Sequence, residues 1–201
     1  MSARSAPDRP ARTLDPAAKL EALQDAALRL FAEHGFHGTT TDMIARAAGV
    51  GAGTLYRFVA SKDELVLRVY ARVKEAAGAL VMPVGAGEGP PEAALRGLWM
   101  RTARALLDHP VEFFFLEQFY GSPYVRQVPA EARARFAAPV DAVVARASSA
   151  GVVRALDPAA FEALFFAPAM ALARMHHLGL AVADDALLAT TLDGCMKAVG
   201  P

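Results

Sequence analysis

Residues 40–57, TTDMIARAAGVGAGTLYR, carry the densest chemistry in the chain. Two short helical stretches are joined by Ala-Ala-Gly-Val. Ile44, Val50 and Leu55 hold the apolar positions, and Ala45 is small where the helices must approach each other. Gly49 can take a left-handed turn at low cost. This is the pattern of a helix-turn-helix. Such a unit lays its second helix in the major groove, about 12 Å wide, while the first crosses the backbone. A plain three-helix packing unit shows the same spacing. The chemistry on offer is therefore duplex-DNA binding or none.

Other reactive residues are isolated. His176 and His177 are adjacent, and neighbours on a helix point about 100° apart, so they rarely share one ion. A pocket or interface histidine is the expected role, and no metal site is expected. Cys195 is the one cysteine. It can form neither an internal disulfide nor a zinc site alone, and it packs as a small hydrophobe. The run Phe113 to Tyr120 (FFFLEQFY) is apolar nearly all round. It suits a buried core helix or, with Trp99, Met100, Phe166 and Met170, the wall of a small-molecule cavity. Nucleophile elbow, HExxH and phosphate-cradling glycine loop are all missing from the sequence. An enzyme is therefore not expected, nor is a cofactor.

The elements that must position these residues read as helices throughout. Asp15-Pro16 suits an N-cap with proline at the first helical position. Leu20, Leu23, Ala27, Leu30 and Phe31 follow at helical spacing until Gly35 closes the helix. Thr39-Thr40-Thr41 supplies caps for a helix over 42–48, and another spans about 52–58. Ser61-Lys62-Asp63-Glu64 is a capping box that opens a longer helix through Leu80. Residues 83–91, PVGAGEGPP, read as a linker. Further helices are expected over 92–108, 110–120, 129–149, 158–180 and 184–199. The alanine-rich background favours this all-α reading of about nine helices.

The stretch GFHGTTTDMIARAAGVGAGTLYRFVASKDEL, residues 35–65, resembles the signature of the tetracycline-repressor (TetR) family. It has the glycine-aromatic pair, the threonines, Ile-Ala, Ala-Gly-Val, Gly-x-Leu-Tyr and Ser-Lys. The resemblance spans about residues 17–70, and LDPAAFEALFFAPAMALA (156–173) looks like the family's eighth helix. It implies an N-terminal three-helix DNA-binding domain and a C-terminal helical domain that binds a ligand and dimerises. By position, Thr40 resembles the phosphate-contacting N-cap of the second helix. Gly51, Ala52, Gly53, Thr54, Tyr56 and Arg57 fall on the recognition surface, and Lys62 falls at a phosphate-contacting helix start. Phe58 stands where many relatives have a phosphate-binding histidine, and Val59 where they have a core phenylalanine. With Gly51, Ala52 and Gly53 offering backbone alone, base readout falls on Thr54, Tyr56 and Arg57. The implied cavity draws on Trp99, Met100, Phe113, Phe115, Glu117, Phe119, Tyr120, Phe166, Met170 and His176. The last helices would form the dimer interface, with Leu188, Leu192, Cys195 and Val199 on that face.

Composition bounds these readings. Of 201 residues, 54% are hydrophobic, enough for a real core. No apolar run approaches the roughly 18–20 residues of a membrane span. Residues 1–14 lack the apolar stretch of a secretory signal, so a cytoplasmic protein is expected. Net charge is zero, with eight Lys/Arg against six Asp/Glu over residues 1–62. DNA contact must then be local rather than a bulk attraction. Residues 1–14, with Arg4, Arg9 and Arg12, read as a flexible basic arm suited to a minor groove, or as a plain tail. Residues 15–62 read as the DNA-binding domain and 63–201 as the ligand-binding and dimerising domain, the helix from 62 joining them. The expected function is a transcriptional repressor, released from a double-stranded operator by a small apolar or aromatic effector.

Overall fold

Helix starts in this chain follow from a few polar and proline residues. A computed structural model describes residues 15–201, so the arm expected over 1–14 lies outside the described residues. Pro16 opens α1 (Pro16–Gly38), and Asp15 precedes it without a side-chain capping bond. Within α1 the backbone leaves helical geometry at Gly35, whose φ of 72° explains the glycine. Thr40 caps α2 (Thr41–Ala47) by accepting from the Met43 N–H. α3 (Ala52–Leu55) follows Gly51. Ser61 caps α4 (Lys62–Val81) through the Glu64 N–H. The Glu64 carboxylate in turn accepts from Ala60 N at 2.7 Å, one residue before the position expected of a capping box.

The remaining helices are α5 (Pro91–Asp108), α6 (Pro110–Tyr120), α7 (Ala130–Ser149), α8 (Pro158–Phe165), α9 (Ala167–His177) and α10 (Asp185–Val199), with a short 3-10 turn η1 (Pro123–Gln127) after α6. No strand occurs among the described residues. The helix expected over 158–180 is broken into α8 and α9. Pro168 lies in the first turn of α9; it has no N–H to give a preceding carbonyl, so the continuous helix fails there. The 83–91 linker is pinned: Arg101 Nη2 donates to Ala86 O at 3.5 Å, and Arg146 donates to the carbonyls of Gly87 and Gly89.

Two apolar cores form. The first joins α1 (Leu23, Phe31, Phe36), Ile44, Leu55, Val59 and the α4 residues Leu65, Val66, Val69, Tyr70 and Val73 to Phe115, Leu116 and Phe119 of α6. The second joins α5, α7, α8, α9 and α10 around Leu95, Leu98, Trp99 and Phe165. Leu188, Leu192, Cys195 and Val199 belong to this second core. The stripe expected at a dimer interface is therefore spent inside the protomer. An apolar helical stripe records that something covers it, not whether that cover is the same chain or another.

Candidate nucleic-acid interface

The three threonines before α2 divide their work. Thr39 is fully buried, its hydroxyl 2.8 Å from Gly35 O and 3.0 Å from Leu30 O. Thr40 caps α2 at 3.2 Å from Met43 N, which leaves its hydroxyl hydrogen for an outside acceptor. Thr41 Oγ1 lies 3.0 Å from the Tyr56 hydroxyl. One of that pair donates to the other, so one O–H remains unspent. Tyr56 is 56% exposed at the end of α3, and its ring thus bridges the end of one short helix to the start of the other.

The turn between them closes as the sequence requires. Gly49 has φ 68°, and Val50 N donates to Ala45 O at 2.9 Å. Gly51 and Gly53 are exposed at the start of α3, Thr54 is half-buried and Arg57 is exposed just beyond its end. The structure thus gathers Thr40, Gly51, Gly53, Thr54, Tyr56 and Arg57 around one short helix pair, while Leu55 faces the core. Ala52 begins α3. Val59 is buried in the first core and Phe58 packs half-buried against it. Both departures from the family pattern are therefore absorbed as packing.

The Lys62 side chain turns inward. Its Nζ donates to Phe36 O at 2.7 Å and to Thr39 O at 3.1 Å. Two of the three ammonium donors are already engaged within the protein. Beside it, Tyr124 of η1 donates to Asp63 at 2.6 Å. Burial first, and then Asp63, push that phenol up to about 12. Sequence spacing gives no signal of either contact, because the partners lie 26 and 61 residues apart.

The residues expected to line an effector cavity are scattered. Phe115 and Phe119 are fully buried in the first core. Trp99 is fully buried in the second, donating from Nε1 to Phe165 O at 2.7 Å, with Met100 and Phe166 packed against that core. Phe113 is buried beside Phe114 and His177. Glu117 accepts two bonds from Arg174, at 2.7 and 2.6 Å. His176 Nδ1 faces Ala183 N at 3.4 Å, and Met170 is half-buried. A cleft of about 290 Å³ lies between α1 and α6 over Arg29, Glu33, Val111 and Phe114. Another, of about 70 Å³, is walled by Leu67, Tyr70, Val128 and Phe136. Neither is lined by any of the ten expected residues.

Tyr120 lies apart from the lining of both clefts. It keeps 47% of its surface accessible, yet burial pushes its phenol up. Tyr70 stands near it, rings 6.4 Å apart, with its own phenol pushed up to about 12 chiefly by burial. Glu162 of α8 is also raised by burial, with Lys74 opposing. Tyr70, Lys74 and Glu162 each read locally as an ordinary residue on a helix. Among the described residues no group of three His, Cys, Asp or Glu is placed to hold a metal ion, and no helix is long and apolar enough to cross a membrane.

The profile of bacterial regulatory proteins of the tetR family matches residues 23–69, and that of the tetracyclin repressor-like C-terminal domain matches residues 90–200. The chain belongs to the TetR family. TetR-family proteins are transcriptional regulators with a DNA-binding helix-turn-helix, not enzymes. A TetR family transcription regulator from Marinobacter aquaeolei VT8 superimposes with a TM-score of 0.81 at 24% identity, over 91% of this chain and 96% of that one. A TetR-family regulator from Haemophilus influenzae gives 0.75 at 21% identity, over 92% and 98%. These establish the fold. In sequence, the HTH-type regulator YhgD of Bacillus subtilis is 39% identical over 46 residues, 23% of this chain. MftR of Mycobacterium tuberculosis, named for mycofactocin biosynthesis, is 49% identical over 43 residues, 21% of this chain. The matched stretches span 24% and 22% of those relatives' own lengths.

Proposed function

We propose that this chain is a homodimeric repressor that grips an operator through residues 15–62 and lets go when a small apolar or aromatic molecule binds within residues 63–201. The observation that carries the DNA half is the joint exposure of Thr40, Tyr56 and Arg57 around a glycine-rich helix start, with the half-buried Thr41 hydroxyl 3.0 Å from that of Tyr56. Hydroxyls and a guanidinium there suit phosphates and base edges, while Gly51 and Gly53 let backbone approach closely. Lys62 borders this face, and its part is taken up below. Two such units would read half-sites about one turn or more apart, in multiples of roughly 34–36 Å. On this reading the working compartment is the cytoplasm.

Release works by population shift: the effector must bind the DNA-incompetent arrangement more tightly. Tyr120, Tyr70, Lys74 and Glu162 are the best-placed ligand contacts. From there α6 reaches the DNA-binding helices directly. Gln118 Nε2 donates to Ala32 O at 2.9 Å, and α4 adds the Arg72–Asp25 ion pair. A tilt of α4 or α6 then changes the separation of the two recognition helices. Dimerisation falls to the outward faces of α8 and α9 and the turn after them, where Leu164, Met175, Leu178 and Leu180 are exposed.

Gel shift and footprinting on DNA upstream of the protein's own gene test the reading. Specific binding with a steep salt dependence is expected, because each phosphate contact releases counterions. Salt-insensitive or absent binding to every upstream fragment counts against it. Thermal shift over a compound panel, followed by operator release, tests the effector half. A response confined to inorganic ions or sugars would rule out an apolar effector.

A further inference from the structure

Lys62 is the first residue of α4, and its ammonium is turned toward the protein. Its two acceptors are Phe36 O, at 2.7 Å in the last turn of α1 past the Gly35 kink, and Thr39 O, at 3.1 Å in the link from α1 to α2. That turn is otherwise secured from within. Gly35 enters it at φ 72°, the Phe36 ring is buried, and the buried Thr39 hydroxyl shares its hydrogen between Gly35 O and Leu30 O. The next residue is Thr40, which caps α2. Phe36 O and Thr39 O flank the last carbonyls of α1, where unpaired acceptors favour a cation. Lys62 thus joins three pieces of backbone: the end of α1, the start of α2 and the start of α4.

We propose that Lys62 is a positioning residue for DNA binding: it fixes the α1–α2 turn to the start of α4, and so sets the orientation of Thr40 and α2, instead of contacting a phosphate. This rests on the reading of residues 15–62 as the DNA-binding unit. The geometry decides between the two roles. A lysine reaching phosphate extends its stem outward and keeps its donors for the ligand. Here the stem folds back, the residue is half-buried, and two donors are satisfied at good hydrogen-bond distances. Breaking both bonds to turn the ammonium outward would also leave two carbonyls without that donor. The same strut gives α4 a second hold on the reading head. Any shift of the α4 start pulls on the Thr39–Thr40 backbone as well as on the core.

The test uses the full chain with Lys62→Met, which keeps the stem and removes charge and donors, and with Thr39→Val, which loosens the same turn at a fully buried position. Two measurements are made: amide hydrogen exchange of residues 40–44 without DNA, and affinity for the upstream duplex over a salt series. Both variants should exchange several-fold faster at 40–44. Both should bind about tenfold more weakly, with the slope of log K against log salt equal to wild type. A phosphate contact predicts otherwise: the Lys62→Met slope drops by about 0.9. That drop, or unchanged exchange at 40–44 in Lys62→Met, overturns the proposal. If the wild type bound no duplex, the DNA-binding reading would fall, while the exchange result would still judge the strut by itself. Should Lys62→Met fail to fold, Lys62→Leu, which likewise carries neither charge nor donor, is put through the same two measurements and judged by the same outcomes.

Discussion

Two helices of this protein drew the same attention from sequence and turned out to be opposites. α3 is nearly bare, with exposed glycines and its polar side chains at the far end. α6 is crowded with aromatics, and Phe113, Phe115 and Phe119 are sunk out of solvent. In α3 poverty of side chains is compatible with intimate contact to a partner. In α6 wealth of side chains signals that the protein itself is the partner. The lesson is directional: an exposed segment declares its chemistry locally, whereas an all-round apolar helix leaves open which neighbour each face meets.

The comparison breaks first at Phe115. As a core residue stacked near Phe31, Phe36 and Phe119, its truncation to alanine should cost about 3–5 kcal/mol of stability by denaturant unfolding. A variant with native stability and a lost effector response would move Phe115 from core to cavity. Arg57 tests the other helix. If it pairs with a guanine, Arg57→Ala should cost about 1–3 kcal/mol on operator and relax preference at one base pair. Equal losses on operator and scrambled duplex would make it a phosphate clamp, leaving specificity to Thr54, Tyr56 or DNA shape.

Thr40→Ala removes the α2 cap and should destabilise the free protein by about 0.5–2 kcal/mol. A melting curve indistinguishable from wild type would show the cap to be spare. The smallest effect is expected at Glu64. Its carboxyl is held below the usual 4.5 by the Ala60 N–H first and Arg68 second. A lowered native pKa stabilises above the unfolded value and fades as pH falls through the native one. The melting-temperature advantage of wild type over Glu64→Gln should therefore be small at neutral pH and close on acidification below about pH 4. An advantage that grew with acid would reverse the sign and refute the assignment.

Helix limits were legible where a single residue type enforces them. Ser61 and Thr40 cap as read, Asp157 accepts from Ala159 N at 2.8 Å, and Pro110 opens α6. The break between α8 and α9 was also written in the chain, as Ala167-Pro168, but a proline in a helix's first turn looks the same as one interrupting a longer helix until packing is known. η1 left only Ser122-Pro123 as a trace. Of the residues proposed to face DNA, Thr40, Tyr56 and Arg57 could be picked out because one short motif holds them all. The inward turn of Lys62, the inward stripe of α10 and the group around Tyr120 depend on contacts between distant segments. No local spacing encodes those.

Gly53 bears on how such a protein changes. A Cβ built there meets no atom within 4 Å, and its backbone is not left-handed. Replacing a helical glycine removes roughly 1 kcal/mol of disadvantage, so a mutant side chain costs the fold nothing and, on the proposed reading, points to where DNA would lie. Most proteins must trade stability for a new specificity at such a position. On the proposed reading the recognition helix keeps a vacant letter: one substitution would rewrite the address the protein answers to and leave the scaffold at least as firm as before.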